Sequence, residues 1–102
     1  MLDTECMDIR DLIRSKRDVI RRIAAGHGAR NVRVFGSVAR GEARPESDVD
    51  LLVDAGPATS AWFPGGLVAD LEAELGRRVD VVTERGLAPE LRERVLREAV
   101  PV

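Results

Sequence analysis

Three short aliphatic runs alternate along this chain with segments that have helical spacing, and this alternation limits the fold more than any other feature. Alternating β-branched residues predict a strand, whereas apolar residues three, four and seven apart predict one face of a helix. The predicted helices are Asp8–Ala25, Pro64–Leu75 and Pro89–Ala99, and the predicted strands are Asn31–Phe35, Asp48–Asp54 and Arg77–Thr83. A short helix at Val38–Gly41, capped by Ser37, follows the first strand. This order predicts an α/β (α+β) domain in which helices pack on a small β-sheet.

The chain has 102 residues, so we expect one domain spanning 1–102 with a single core. Its net charge is -2, and nucleic-acid-binding domains usually carry a clustered basic excess instead. One basic stretch, Arg14–Arg22, is interpreted as a solvated helix face, with a nucleic-acid contact as the alternative. No apolar segment reaches transmembrane length, and no secretory signal is recognised at the N-terminus. Because Cys6 is the only cysteine, a reducing compartment fits best, and we expect a cytoplasmic protein.

Asp48 and Asp50 are two residues apart at the start of a predicted strand. Residues at this spacing point to the same side of a strand, so two carboxylates share one face. Ionised carboxylates this close repel each other, and a cation that prefers oxygen ligands, such as magnesium, removes the conflict. An isolated Asp-x-Asp tripeptide is also typical of two exposed acids at a sheet edge. The motif therefore needs support from a second element.

Gly36-Ser37 supplies that element, because it lies where the first strand turns into the short helix. Backbone N–H groups at a helix start, together with the helix dipole, attract phosphate oxygens. Gly36 allows close approach to the main chain, and the Ser37 hydroxyl can donate to the same anion. A tight turn with a helix cap is the alternative for this dipeptide alone. Combined with the paired carboxylates, it predicts a metal–triphosphate site, where two metal ions about 4 Å apart can activate the attacking oxygen and stabilise the leaving one.

Asp80 is the candidate for a third carboxylate, because it lies in the middle of the otherwise apolar run Val79–Val82. If its strand lies beside that of Asp50, Asp80 can join the same cluster. It can then accept a proton from an incoming hydroxyl or bind the catalytic metal.

At this point the residues resemble a known family. Gly36-Ser37, followed after ten residues by Asp48-Val49-Asp50, resembles the signature of the DNA polymerase β-like nucleotidyltransferase superfamily. The stretches Gly-Ser-x-Ala-Arg-Gly-Glu and Ser-Asp-x-Asp-Leu resemble, more narrowly, the minimal nucleotidyltransferases, the MntA-like antitoxins of HEPN/MNT toxin–antitoxin pairs. The strand around Asp80 and the Arg92–Val100 segment are similar to that family's ending, so the resemblance covers most of the chain after about Ala29.

The resemblance implies a mixed β-sheet flanked by helices, with catalytic carboxylates that also bind two magnesium ions. These carboxylates are Asp48, Asp50 and Asp80. It also implies that Gly36 and Ser37 bind the β- and γ-phosphates of ATP. Arg40 either touches phosphate as well or forms a structural salt bridge.

Members of that family transfer AMP from ATP to a protein hydroxyl, typically a tyrosine of the partner HEPN ribonuclease, which is thereby silenced. The resemblance thus implies an adenylyltransferase antitoxin that uses Mg-ATP and assembles with a HEPN toxin. Two alternatives stay open. One is a non-catalytic module that neutralises a partner by covering it, through the N-terminal helix and aliphatic surface. The other is nucleotidyl transfer to a small molecule or an RNA end, although the sequence shows no acceptor pocket or basic groove.

Overall fold

A computed structural model describes residues 9–44, 46–56, 59 and 63–102. The expectations for Cys6 and for the first eight residues lie outside this range. The helices are α1 Ile9–Ser15, α2 Arg17–Gly26, α3 Gly36–Arg40, α4 Gly65–Leu75 and α5 Pro89–Glu98. The strands are β1 Ala29–Phe35, β2 Val49–Ala55, β3 Val79–Thr83 and β4 Val100–Pro101, and a 3₁₀ helix covers Glu84–Gly86.

The four strands form one sheet in the order β3-β2-β1-β4. Strands β2 and β3 are parallel, whereas β1 is antiparallel to both β2 and β4. A parallel pair needs a crossover connection, and α4 supplies it between β2 and β3. The predicted small mixed sheet flanked by helices is confirmed.

The main core lies on one face of this sheet. Alternate residues of β2, namely Val49, Leu51 and Val53, are fully buried there. Helices α1, α2 and α4 cover them with aliphatic side chains spaced by four or seven residues. These are Ile9, Ile13, Ile20, Ala24, Leu67, Leu71 and Leu75. Because strand side chains alternate, Asp50 is directed to the opposite face.

The predicted helix Asp8–Ala25 is wrong in one respect, since it is interrupted at Lys16. The Lys16 ammonium donates to the Glu74 carbonyl oxygen at 3.0 Å and approaches a Glu74 carboxylate oxygen at 3.3 Å. Lys16 thus ties the α1–α2 junction to the end of α4, where a cation is favoured by the helix dipole.

Several predicted boundaries also change. Strand β1 begins at Ala29 rather than Asn31, and β3 begins at Val79 rather than Arg77. Three other shifts concern the candidate site or the sheet edge. Helix α3 begins at Gly36 rather than Val38, so Ser37 lies in its first turn and Phe35 occupies the N-cap position. Strand β2 begins at Val49, which leaves Asp48 in the preceding connection. The last helix ends at Glu98, and the chain then pairs with β1 as the unpredicted strand β4. In the described part of the chain, no helix is long and apolar enough to cross a membrane.

Candidate active site

Asp50 lies at the centre of the candidate site, on the sheet face opposite the main core. Its register partner on antiparallel β1 is Phe35, and its register partner on parallel β3 is Asp80. Neighbouring strands are about 4.8 Å apart, and residues in register point to the same face. The condition under which Asp80 can join the cluster, that its strand lies beside that of Asp50, is therefore met.

Asp48 precedes β2 by one residue and is exposed, as is Asp80. The Val49 N–H donates to the Arg78 carbonyl oxygen at 2.9 Å, which extends the β2–β3 pairing to the point where Asp48 leaves the sheet. The negative charges of Asp48 and Asp80 both act on Asp50. The structure thus brings the three predicted carboxylates into one electrostatic neighbourhood.

Gly36 forms the wall of the site next to Asp50. Its φ of +75° lies in the left-handed region, and a Cβ at this position would stand 2.4 Å from an Asp50 carboxylate oxygen. Only glycine satisfies both the backbone angle and this close approach. The first turn of α3, which contains Ser37, therefore begins directly beside the Asp50 carboxylate.

The pKa of the Asp50 carboxyl lies above its ordinary value. Burial is the main cause, because it disfavours the charged form, and the negative charges of Asp80, Asp48 and Glu98 act in the same direction. The nearby Arg40 guanidinium partly opposes them. An ionised Asp50 is thus an unfavourable group in the protein alone, which is the situation that a bound cation relieves.

This pKa shift predicts that Asp50→Asn stabilises the metal-free protein. A raised folded-state pKa contributes stability that is complete below the unfolded pKa, near pH 4, and is lost as the pH rises through the folded pKa. Ionised Asp50 therefore destabilises the fold at neutral pH, and asparagine removes that charge. We expect the midpoint of thermal unfolding in EDTA to rise by a few degrees at pH 7.5, and the difference to shrink towards pH 4.

The control is Asp18→Asn, which removes an exposed aspartate from α2. Its effect should be small at both pH values. A lower midpoint for Asp50→Asn than for the unmodified protein at pH 7.5 would show that the Asp50 charge is not under strain.

Arg40, at the end of α3, is held by two glutamates. Its Nε donates to Glu42 at 2.9 Å, and its Nη1 donates to Glu98 at the end of α5. Both partners raise the pKa of the Arg40 guanidinium through hydrogen bonding, so its positive charge is secure. The structural salt bridge considered for Arg40 is therefore present. These contacts use two of five N–H donors, so the same side chain can still donate to a phosphate.

Glu98 is the residue of this neighbourhood that the sequence analysis missed. Its side chain is only 16% exposed, and it joins Arg40 to Arg94 while its charge also acts on Asp50. It lies 58 positions from Arg40, so no local pattern links the two. One local signal exists, because a glutamate in the last turn of a helix is unfavourable to the helix dipole.

The residues present fit a magnesium ion in their chemistry. Carboxylate oxygens are the ligands that magnesium prefers, and the missing Cβ of Gly36 leaves room against Asp50. Among the described residues, however, no three carboxylate, imidazole or thiolate groups are gathered closely enough to enclose a metal ion. The exposed side chains of Asp48 and Asp80 would have to turn towards Asp50 to complete such a set.

Comparison with known proteins adds to this geometry. The family model for the nucleotidyltransferase domain matches residues 13–102. The protein adenylyltransferase MntA of Thermococcus cleftensis is 47% identical over 75 residues, which are 74% of this chain and 76% of that protein.

Solved structures agree with these sequence matches. One assigned to the minimal nucleotidyltransferases is 52% identical and superposes with a TM-score of 0.83 over 95% of this chain and 98% of that one. A toxin–antitoxin structure with AMP-PNP has a TM-score of 0.70 at 22% identity, over 84% of this chain and 70% of that one. At that identity the second likeness concerns the fold alone.

Proposed function

The chain belongs to the nucleotidyltransferase domain family, and on that basis we propose that it is a protein adenylyltransferase that modifies a partner toxin with AMP from Mg-ATP. The partner in this proposal is a HEPN-family toxin, its acceptor is a tyrosine hydroxyl, and the modification silences it in the cytoplasm. The observation that carries the proposal is the Asp50 carboxylate, which lies in register with Asp80 and against Gly36. The adenylyltransferase MntA, 47% identical, supports the choice of AMP and of a protein acceptor.

In the proposed reaction, the hydroxyl oxygen of the acceptor attacks the α-phosphorus of ATP. A new bond forms between that oxygen and phosphorus, the bond from the α-phosphorus to the bridging oxygen breaks, and pyrophosphate leaves. Asp80, on the outer strand of the sheet, accepts the hydroxyl proton or helps to bind the catalytic metal.

Asp48, Asp50 and Asp80 would hold two magnesium ions, which neutralise phosphate charge and activate the attacking oxygen when bound. Gly36 and Ser37 would hold the β- and γ-phosphates through the first turn of α3. This assignment is consistent with the raised pKa of Asp50, since burial and like charges disfavour an ionised carboxylate without a cation.

Arg40 is proposed to touch the phosphates while Glu42 and Glu98 hold its guanidinium in place. Arg40→Ala should then weaken Mg-ATP binding about 5- to 10-fold, because a charge-assisted hydrogen bond to phosphate is lost. Isothermal titration calorimetry with Mg-ATP measures this directly.

The matched control is Arg94→Ala, since Arg94 also approaches Glu98, at 3.8 Å, but is 67% exposed. It should leave the Kd for Mg-ATP nearly unchanged. Equal Kd values for the two variants would assign Arg40 to the salt bridge alone.

The proposed activity is tested by incubating the purified chain with Mg-ATP and its purified HEPN toxin, and then measuring the intact mass of the toxin. We expect one added AMP, mapped by peptide mass spectrometry to a tyrosine and absent when that tyrosine is replaced by phenylalanine. An unmodified toxin, next to an active adenylyltransferase as positive control, would contradict the proposal.

A further inference from the structure

A groove with an apolar floor and a basic rim lies beside α3, outside the carboxylate cluster. Its rim carries Arg10, Arg14 and Arg17, from α1 and the start of α2. Its floor includes the buried side chains of Ile13 and Val38, together with Val100 of β4. None of these residues belongs to the catalytic machinery proposed above.

The rim of the groove is positively charged, whereas the whole chain has a negative net charge. The charge argument rests on Arg14 and Arg17, because Arg10 has an interaction partner of its own. None of the described side chains that line the groove is acidic, although the chain has a net charge of -2. Arg14 has an acidic neighbour in Asp11 at 3.8 Å, but both side chains are more than half exposed, so this pair is weak. The groove therefore favours an acidic occupant.

The floor distinguishes a protein from other acidic occupants. The groove has a volume of about 190 Å³, below the roughly 300–1,000 Å³ of small-molecule pockets, so it suits a single apolar side chain. Val100 is 49% exposed in the groove, and the floor offers aliphatic groups rather than the aromatic side chains on which nucleobases stack. Apolar anchors surrounded by arginines are typical of protein–protein contacts.

The groove also shares an element with the active site. Val38 and Ala39 line it from α3, and the first residue of the same five-residue helix is Gly36, against Asp50. A protein bound in the groove would therefore lie next to the proposed phosphate-binding turn. The two sites border the same short helix and differ in chemistry.

We propose that this groove docks the acceptor protein through a segment in which acidic residues flank one apolar side chain. The proposal rests on the proposed function, because it takes the toxin that receives AMP as the occupant. The sequence analysis interpreted Arg14–Arg22 as a solvated helix face. For Arg14 and Arg17, which line the groove, the proposal replaces that interpretation.

The test measures binding rather than AMP transfer, so that its outcome does not depend on catalysis. The probe is the purified HEPN toxin, titrated calorimetrically into the full chain in an Asp48→Asn/Asp50→Asn background. Adding Arg14→Glu/Arg17→Glu should weaken toxin binding about 10-fold or more and reduce its dependence on salt. The matched control is Arg22→Glu/Arg97→Glu, which changes the same charge at two exposed arginines outside the groove and should alter the Kd less than about 2-fold.

A second pair of variants tests the apolar floor. Val100→Asp should weaken toxin binding about 10-fold, because it places a charge in the floor where the apolar side chain of the toxin would pack. Leu91→Asp is its control, since Leu91 has the same 49% exposure but lies on α5 outside the groove.

Several results would overturn the proposal. One is no toxin binding by the background protein, and another is an equal loss of binding in the groove and control variants. Unchanged toxin binding with a lower unfolding midpoint for Arg14→Glu/Arg17→Glu would instead indicate that the chain's own acidic N-terminal residues fill the groove. A dimer that dissociates in that variant would identify a second copy as the occupant, and RNA binding that it alone abolishes would identify nucleic acid. Absence of AMP transfer by the unmodified chain, with groove-dependent toxin binding intact, would contradict the proposed function only.

Discussion

Replacing both Asp48 and Asp50 by asparagine is expected to lower AMP transfer at least about 1,000-fold and to leave the fold intact. The double variant removes two of the three carboxylates around the proposed metal site. Because these residues act as a unit, losing part of the set removes most of the catalytic effect of the whole set. The fold should persist because neither side chain belongs to the core, and because ionised Asp50 is itself unfavourable. Toxin modification by intact mass gives the rate, and thermal unfolding gives the stability.

The same variant separates catalysis from simple covering of the toxin. An adenylyltransferase antitoxin should lose toxin neutralisation together with AMP transfer, whereas a non-catalytic binding module should keep it. Asp18→Asn, an exposed change on α2, is the control and should retain both. Full neutralisation by Asp48→Asn/Asp50→Asn would show that complex formation is sufficient.

Gly36→Ala should combine a loss of stability with a loss of activity of at least about 100-fold. An alanine at φ +75° costs about 1–2 kcal/mol of stability. In a domain of this size, each kcal/mol lowers the midpoint of thermal unfolding by roughly 4–8 °C. Its methyl group would also stand 2.4 Å from an Asp50 carboxylate oxygen, so the carboxylate must move. A displacement of about 1 Å in a reacting group can cost roughly 100-fold in rate.

Gly76→Ala is the matched control for this prediction. Gly76 has a similar φ of +69°, but a Cβ there would meet nothing within 4 Å. It should lose a similar amount of stability by thermal unfolding and keep nearly full activity in the intact-mass assay. Equal activities of the two variants would show that the close approach of Gly36 to Asp50 has no functional role.

The sequence signals for the candidate site are local. Strand alternation places Asp50 on the face opposite Leu51, and the turn at Gly36 follows directly from a strand that ends before glycine. The position of Asp80 requires one further step, the adjacency of β3 and β2. That step follows from the short crossover through α4 and is confirmed by the register.

Apart from small shifts at element boundaries, the main features that the sequence does not predict involve contacts between distant residues. The first helix is interrupted at Lys16, which contacts Glu74, and Arg40 is anchored by Glu98; each pair is 58 positions apart. Strand β4 has two residues, too few for a periodic pattern, and it pairs with β1 at the edge of the sheet. Periodicity and spacing carry no information about such pairings.

The central claim, nucleotidyl transfer at the Asp48, Asp50 and Asp80 cluster, is tested most directly by the fate of labelled ATP. The chain would be incubated with magnesium, its HEPN toxin and ATP labelled at either the α- or the γ-phosphate, and label on the toxin would be measured. Attack at the α-phosphorus predicts that only the α-label appears on the toxin and that the γ-label leaves as pyrophosphate. Asp48→Asn/Asp50→Asn should abolish the α-label on the toxin. Transfer of the γ-label, or α-labelling that survives in the double variant, would contradict the account.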